Sequence, residues 1–423
     1  MSEVTRGKVS AGLARRRRKE RLFRLCGMLA TTVGIVFLVV FFADLIGKGS
    51  SAFRQTFLRL EISFDTAVIA PQGSIDLQYA DFDLLARNAL RDLFPDVSGR
   101  NPLRELNRLL SVGAGYQLRD MLQQDPGLLG SVQSVWLPAS SSVDMLRKGN
   151  IDASIDAALR PISDAQLAWV AALQRDGRLE LRWNRAFFSN GDSREPELAG
   201  IRGALMGSFY MLLVTLALAL PIGVAAAIYL EEFAPRNRWS DLIEVNINNL
   251  AAVPSIVFGL LGLAVFINWA TLPRSAPLVG GLVLALLTLP VIIIASRAAI
   301  KSVPPSIRDA ALGLGASRMQ VVFHHVMPLS LPGMLTGAII GMSRALGESA
   351  PLLMIGMVAF IVDVPGGFSD PATALPVQIY LWADSPERAF AERTSAAIMV
   401  LLGFLMLMNL AAVVLRKRME QKW

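Results

Sequence analysis

The sequence has very little of the chemistry from which enzymes and metal sites are built. Its 423 residues include one cysteine, Cys26, and two histidines, His324 and His325. A single cysteine excludes an intrachain disulfide, and the histidines have no cysteine or paired carboxylate near them in sequence, so no metal site is predicted. No Gly-x-x-x-x-Gly-Lys-Ser/Thr phosphate cradle occurs. The sequence therefore predicts no catalytic residues and no nucleotide site of its own.

Charged residues are also scarce, at 18% of the chain, whereas 53% of the residues are hydrophobic and the mean hydropathy is +0.47. This balance is hard to reconcile with a soluble globular protein and indicates an integral membrane protein. The formal net charge of +7 lies beside hydrophobic runs rather than on an aromatic-rich soluble face. We interpret it as a topology signal and predict no nucleic-acid partner.

Six uninterrupted apolar runs are long enough to cross a bilayer, since roughly 20 helical residues span the hydrocarbon. The runs cover residues 28–46, 204–230, 245–267, 277–295, 331–361 and 396–415. The predicted fold class is accordingly an all-α polytopic membrane protein with six transmembrane helices. The third run begins with asparagines and the fifth contains two charges, so these two are not generic lipid-facing helices.

Basic residues flank the first and the last run, at positions 15–19, 21 and 24 and at positions 416–418. Because basic residues beside spans stay in the cytoplasm, both termini are predicted to be cytoplasmic, in the cell inner membrane. The first run lacks a good cleavage site, which favours an uncleaved signal anchor. The predicted division is a basic tail at 1–27, an anchor at 28–47, an extracytoplasmic domain at 48–200, a transmembrane domain at 201–416 and a tail at 417–423.

Residues 48–200 have the composition of a soluble domain, with apolar residues spaced rather than continuous. Helical spacing around residues 84–90 and 170–173, together with alternation over Leu179–Trp183, predicts a small α+β domain between the first two spans. It contains no histidine, no cysteine and no glycine-rich cradle, so it offers no catalytic constellation.

The loop at residues 300–330, between the fourth and fifth runs, predicts a rigid cytoplasmic knob. Pro304 and Pro305 end the incoming helix, and a short helix is expected to stop at Gly315. A second short helix, over residues 318–326, is expected to be closed by Pro328 and Pro332. Two short helices at right angles to the spans would let a transporter receive force from a separate motor.

This stretch resembles the EAA loop of ABC importer permeases, whose pattern is Glu-Ala-Ala, three residues, Gly, nine residues and Ile-x-Leu-Pro. The matching residues here are Asp309, Ala310, Ala311, Gly315 and Pro328. The sequence departs from the pattern with Asp309 in place of Glu, His325 in place of Ile and Met327 in place of Leu. The resemblance implies that the five matching residues couple the chain to an ATPase.

Small residues recur every fourth position in the fifth run, at Gly333, Gly337, Gly341 and Ala345. This spacing predicts a face that packs closely against another helix. Arg344 and Glu348 are expected to point into the bundle with this face, where their i, i+4 spacing lets them meet. Two interpretations stay open, a structural salt bridge and a part of the permeation route.

Residues 343–352 and 253–259 resemble the motifs of permeases of the phosphate-specific ABC importer, and the similarity runs from about residue 200 to the last span. Of the two permeases in that system, the chain is more similar to the PstA type. The resemblance implies the type I ABC importer permease fold and a substrate path that includes Ser343, Arg344 and Glu348. It does not cover residues 48–200.

The same resemblance implies three partners: a homologous second permease of the PstC type, a cytoplasmic ATPase dimer that binds ATP and Mg, and an extracytoplasmic phosphate-binding protein. No cofactor is expected in this chain, which would be a non-catalytic transport subunit. Alternatives are a permease for sulfate or molybdate, an ion-driven secondary transporter, for which Glu348 alone is thin support, and a membrane-anchored sensor or enzyme.

Overall fold

A computed structural model describes residues 3–69, 80–156 and 160–419. The predicted external domain and both predicted tails therefore fall partly outside the described residues. Within them the chain forms a long N-terminal helix, a segment of helices and strands, and a C-terminal helical bundle.

The basic tail and the first apolar run form one continuous helix, α1 (Glu3–Gly49). Its 47 residues correspond to about 70 Å at the usual helical rise. The boundary predicted between residues 27 and 28 has no structural break. A short 3₁₀ turn, Ser50–Phe53, then leads into the first strand.

The segment after α1 folds around a three-stranded antiparallel sheet. Strand β1 (Arg54–Ser63) is central, between β2 (Val132–Pro138) and β3 (Leu179–Trp183). Leu58 and Leu60 are buried, two residues apart, because one face of the sheet packs on helices. The strand predicted over Leu179–Trp183 is confirmed. The helices of this segment are α2 (Thr66–Ile69), α3 (Phe82–Asp92), α4 (Arg100–Asn107), α5 (Gly113–Gln124), α6 (Ser141–Arg147), α7 (Asp164–Arg175) and α8 (Arg185–Ser189).

Five helical stretches of the described chain are long and apolar enough to cross a membrane, and a bent pair of helices gives a sixth if it is counted as one span. Beside α1, they contain α9 (Arg202–Ile228), α12 (Pro277–Lys301), α15 (Met327–Gly347) and α18 (Ala389–Met419). The prediction of six spans agrees with this count only when the bent pair is included.

The third apolar run forms that bent pair. Helix α10 (Arg238–Ala251) and helix α11 (Ser255–Gly262) meet at 100°, and α11 continues as a π-helical stretch to Trp269. Pro254 lies at the bend, where it disfavours helical geometry in the residue before it. The predicted third span over residues 245–267 is therefore divided into two helices at a sharp bend.

The fifth apolar run is also broken. Helix α15 ends at Gly347, Glu348 is extended, and the chain resumes as the short helix α16 (Ala350–Met354). Pro351 stands in the first turn of α16, where its missing N–H is tolerated. The predicted fifth span is therefore present, but its helix ends at Gly347 and not at residue 361. A loop and α17 (Leu375–Ala383) lead on to α18.

Close backbone packing joins α15 to α12. A Cβ atom added at Gly337 would lie 2.3 Å from the Cβ of Ala295, and one at Gly333 would lie 2.6 Å from the Cβ of Ala299. Gly341 is looser, because the nearest atom of α12 would be 3.6 Å away. The small residues of α15 thus let the two helices approach over its first half.

Candidate functional site

A short helix, α13 (Pro305–Gly313), follows α12 and starts at the predicted proline pair. The side chains of Asp309 and Ala310 are exposed, whereas Ala311 is 5% exposed. Ala311 belongs to an apolar cluster that includes Val322 and residues of α9, α12 and α15. The helix is therefore held against the bundle on one side and presents Asp309 to solvent on the other.

The turn after α13 depends on Gly315, which has a φ of +86°. This left-handed conformation favours glycine, although no atom lies within 4 Å of where a Cβ would stand. Leu312 and Leu314 beside the turn are 46% and 90% exposed. The loop therefore ends in an apolar tip that nothing in the described chain covers.

The second half of the loop differs from the predicted knob. Helix α14 (Arg318–Gln320), capped by Ser317, runs through a π-helical stretch, Val321–Val326, straight into α15. Pro328 lies in the first turn of α15 and does not end a separate helix. Within the described loop, α13 alone is separate from the spans. The prediction failed at Pro328 because a proline can occupy the first turn of a helix as well as follow its end.

An ion pair fixes α13 to the end of α9. The guanidinium of Arg308 donates to Glu232 Oε1 from Nη2 at 2.8 Å and from Nε at 3.1 Å. The same group donates to the backbone carbonyls of Val303, at 2.7 Å, and Ile300, at 3.0 Å. Arg308 thus links α13, the end of α12 and the end of α9.

A second ion-pair group lies beside the first. Arg297, 9% exposed, pairs with Glu231 and with Glu244 of α10, the latter at 2.8 Å, and Lys301 reaches Glu231 at 3.4 Å. Sequence analysis assigned no role to the two glutamates after α9. The sequence does contain a feature that could have indicated this pairing. Acidic residues end the second run, and basic residues follow the fourth run, whose end is predicted on the same side of the membrane.

Arg344 and Glu348 do approach each other, with Arg344 Nε 3.4 Å from Glu348 Oε1. Their predicted burial inside the bundle is wrong for this chain alone, since their side chains are 46% and 19% exposed. Arg344 lies about 100° around the helix from the buried Ala345, and Glu348 follows the helix end.

Arg344 nevertheless lies inside a candidate span, away from the ends of the neighbouring helix α12. The neighbouring Leu346 packs in an apolar cluster with Val283 and Leu284 of α12, several residues inside that span. Ser343 donates to Asn409 Oδ1 of α18 at 2.7 Å. The structure therefore brings Arg344 and Glu348 together at a break in α15, while the hydroxyl of Ser343 is engaged with another span.

A buried ion cluster joins the strand-containing segment to α18. Lys148 Nζ lies 2.6 Å from Asp144 Oδ2 and 2.6 Å from Glu392 Oε1, and the three side chains are at most 10% exposed. Arg393, 3% exposed, interacts electrostatically with the same two carboxylates and with that of Glu197. Two cations and three carboxyl groups thus meet at this junction.

Glu197 lies close to this junction and is itself 3% exposed. Burial raises the pKa of the Glu197 carboxyl, although Ser111 donates a hydrogen bond to it. Burial likewise raises the pKa of Asp192, which accepts a hydrogen bond from Trp382 Nε1 of α17 at 2.9 Å. Both groups connect the segment before α9 to the bundle.

Comparison with known proteins identifies the family of this chain. A family model described as "Binding-protein-dependent transport system inner membrane component" matches residues 219–421. The phosphate transport system permease protein PstA 1 of Mycobacterium tuberculosis is 31% identical over 222 residues, which are 52% of this chain and 72% of that protein. The chain belongs to this family of inner membrane transport components.

This permease also resembles other members. The PstA protein of Yersinia pestis is 30% identical over 51% of this chain and 72% of its own length. The probable ABC transporter permease protein YqgI of Bacillus subtilis is 39% identical over 36% of this chain, so the match spans about half (52%) of that relative. The predicted PstA-type resemblance is confirmed, and the chain is an ABC transporter permease subunit, a transport component rather than a catalyst.

The N-terminal part of this permease matches a domain of unknown function (DUF3333) over residues 10–157. A solved structure of the MetNI methionine ABC transporter, in inward-facing conformations, is 18% identical with a TM-score of 0.42 and covers 52% of this chain and 97% of that chain.

Proposed function

We propose that this permease imports inorganic phosphate across the inner membrane, driven by ATP hydrolysis in a separate cytoplasmic ATPase dimer. The observation that carries the proposal is the exposed helix α13, which is anchored to three spans through Arg308 and Ala311. A helix held in this way can transmit a displacement of its tip to the three spans as a rigid unit. The type I permease fold and alternating access follow from the same proposal.

The ATPase would contact the exposed side of α13 and its tip. Asp309 makes no ion pair among the described residues, and Leu312 and Leu314 are uncovered. Exposed apolar side chains beside a free charge are typical of a protein interface. Ala310 would lie in this contact, whereas Ala311, Gly315 and Pro328 would maintain the shape of the loop. ATP and Mg would be bound by the partner.

The cargo path would pass Arg344 at the break in α15. The exposed side of Arg344 would face a second, homologous permease of the PstC type, so that the charge becomes enclosed only in the pair. A planar guanidinium binds a phosphate oxyanion through paired hydrogen bonds, and Glu348 would neutralise it between transport events. Ser343 would help to set the position of this turn through Asn409.

Residues 48–200 would lie outside the cytoplasmic membrane, with both termini inside, and an extracytoplasmic phosphate-binding protein would deliver the cargo. Cysteines introduced at exposed positions such as Val132 should react with an impermeant thiol reagent in intact cells, in a Cys26→Ser background. Reaction only after lysis would contradict this topology.

Anion-stimulated ATP hydrolysis tests the cargo. The permease would be purified with its copurifying subunits, reconstituted in vesicles and assayed with its binding protein and each of phosphate, sulfate and molybdate. We expect stimulation by phosphate alone. Stimulation by sulfate or molybdate without phosphate would assign another oxyanion, and transport without ATP would favour an ion-driven carrier.

A further inference from the structure

Three aromatic rings form an exposed stack at the base of the strand-containing segment. The rings of Trp183 and Phe188 are parallel within 2°, with centroids 5.6 Å apart, and the ring of Phe53 lies 6.1 Å from Trp183 and 5.7 Å from Phe188. Trp183 is 59% exposed and Phe188 is 41% exposed. Exposed neighbouring aromatic rings of this size indicate a surface that another apolar phase covers.

The stack lies at the level where two spans begin. Phe53 packs on an apolar cluster that contains Ala204 of α9 and Ala396 and Ala397 of α18. Ala204 is the first residue of the second run, and Ala396 and Ala397 are the first two residues of the sixth run. The aromatic stack therefore stands at the boundary between the bilayer and water, on whichever side of the membrane the segment lies.

Two arginines flank the stack. Arg54 is the cross-strand partner of Trp183, and Arg185 precedes Phe188 by three residues on the single turn α8. Both side chains are exposed, and neither makes an ion pair within the described parts of the chain. Guanidinium groups without partners, at the depth of lipid headgroups and beside aromatic rings, match the charge of anionic headgroups.

We propose that Phe53, Trp183 and Phe188, together with Arg54 and Arg185, form a lipid-binding patch for anionic phospholipids. The rings enter the headgroup boundary of the leaflet that they face, and the arginines bind lipid phosphates. The patch holds the base of the strand-containing segment on the membrane surface. This function is independent of the transported cargo.

The depth of the patch is measurable with spin labels. Single nitroxides would be attached to Phe188→Cys and, as a control, to Val132→Cys in the full chain, with Cys26→Ser and the copurifying subunits present, in lipid nanodiscs. Val132 is an exposed apolar residue opposite Ser63, at the other end of a sheet strand of about 30 Å. We expect the label at position 188 to collide with lipid-soluble oxygen and to be shielded from a water-soluble nickel chelate, with the reverse at position 132.

Two results would overturn the proposal. Free access of the nickel chelate to position 188 would show that the patch faces water. Shielding of position 188 from both oxygen and nickel would show that a protein, such as a second permease or a binding protein, covers it.

The charge preference is tested with Arg54→Gln/Arg185→Gln in nanodiscs of phosphatidylcholine with and without phosphatidylglycerol. We expect phosphatidylglycerol to raise the melting temperature of the parent protein and of the control Arg100→Gln/Arg104→Gln, which removes two exposed charges elsewhere in the segment. The rise should be lost in Arg54→Gln/Arg185→Gln, while its melting temperature in pure phosphatidylcholine stays unchanged. An equal rise in all three proteins, or the same rise with soluble glycerol phosphate, would overturn the assignment to lipid.

Discussion

At the scale of the residue, Arg344 and Glu348 carry opposite charges where α15 stops within the bundle. The contact between them is long, at 3.4 Å, and Arg344 is nearly half exposed on the isolated chain. The long contact leaves most of the guanidinium donors of Arg344 without a partner in the described chain. This geometry favours the proposed role of a group available to an anion over that of a tightly formed structural bridge.

Neutralising both charges separates the two roles. Arg344→Gln/Glu348→Gln leaves no unpaired charge, so a merely structural pair would allow near-normal phosphate uptake. We expect instead an assembled complex without uptake, because the oxyanion has lost its guanidinium. Arg344→Lys should also impair uptake, since it keeps the charge and loses the paired hydrogen bonds. Uptake is measured with radioactive phosphate in cells, and assembly by copurification; recovery of uptake in the double variant would refute the role.

Gly315 provides a second test at a single residue. Gly315→Leu should abolish transport, because a side chain at a φ of +86° costs about 1–2 kcal/mol and shifts the turn, even though there is space for it. Gly130→Leu is the matched control, since Gly130 also has open space and a positive φ, of +79°, but lies in the strand-containing segment. Transport and ATPase binding would be compared in both. Normal uptake in Gly315→Leu, with the ATPase still bound, would contradict the coupling role.

Sequence spacing predicts some residues of the site and misses others for a physical reason. Gly315 is recognised because a glycine marks the end of a short helix, and Asp309 and Ala311 are recognised by their resemblance to the EAA pattern. Glu232 and its partner Arg308 are 76 residues apart. Their pairing depends on how α9 packs against α12, which a linear pattern does not contain.

At the scale of the element, apolar runs predict that helices exist more reliably than they predict where the helices end. The runs that form α9, α12 and α18 give helices near the expected limits, although Pro221 in α9 and Pro290 in α12 each remove one backbone hydrogen bond. The third and fifth runs are broken at Pro254 and after Gly347. Apolar composition continues across both breaks, so hydropathy alone does not reveal them.

The Arg308 anchor of α13 leads to a prediction about this helix as a unit. Glu232→Gln and Arg308→Met should each reduce the phosphate uptake obtained per ATP hydrolysed, because α13 is then held less firmly. The exchange Glu232→Arg/Arg308→Glu should rescue coupling only in part. A glutamate at position 308 restores the ion pair, but it cannot donate to the carbonyls of Val303 and Ile300.

The control for this prediction is Lys301→Gln. The side chain of Lys301 is 59% exposed and pairs with Glu231, so its loss should change the uptake per ATP hydrolysed very little. Uptake and ATP hydrolysis are measured together in vesicles. Unchanged coupling in Arg308→Met would show that Ala311 and its apolar neighbours hold α13 by themselves.

At the scale of the whole molecule, the strand-containing segment and the bundle are joined by more than the chain that connects them. The cluster of Lys148, Asp144, Glu392 and Arg393 lies between α6 and α18, with Glu197 beside Arg393. Buried ions are costly unless they are paired. Moving the strand-containing segment away from α18 would separate Lys148 from Glu392 and leave charges without partners. The segment and α18 should therefore move together during transport.

Removing the central cation tests this junction. Lys148→Met leaves Asp144 and Glu392 buried beside each other with only Arg393 to compensate, and breaking a buried pair in this way costs about 3–5 kcal/mol. The control is Lys48→Met, which breaks an i, i+4 Lys–Asp pair of the same type whose side chains are 65% and 59% exposed. Its expected effect is about 0.5 kcal/mol. Melting temperatures in detergent and the rate of proteolysis between residues 148 and 200 would be measured for both. The double variant Lys148→Met/Asp144→Asn should recover part of the lost stability, because it removes one anion together with the cation and leaves Glu392 beside Arg393. Equal stability of Lys148→Met and Lys48→Met would show that the buried cluster does not hold the segment to α18.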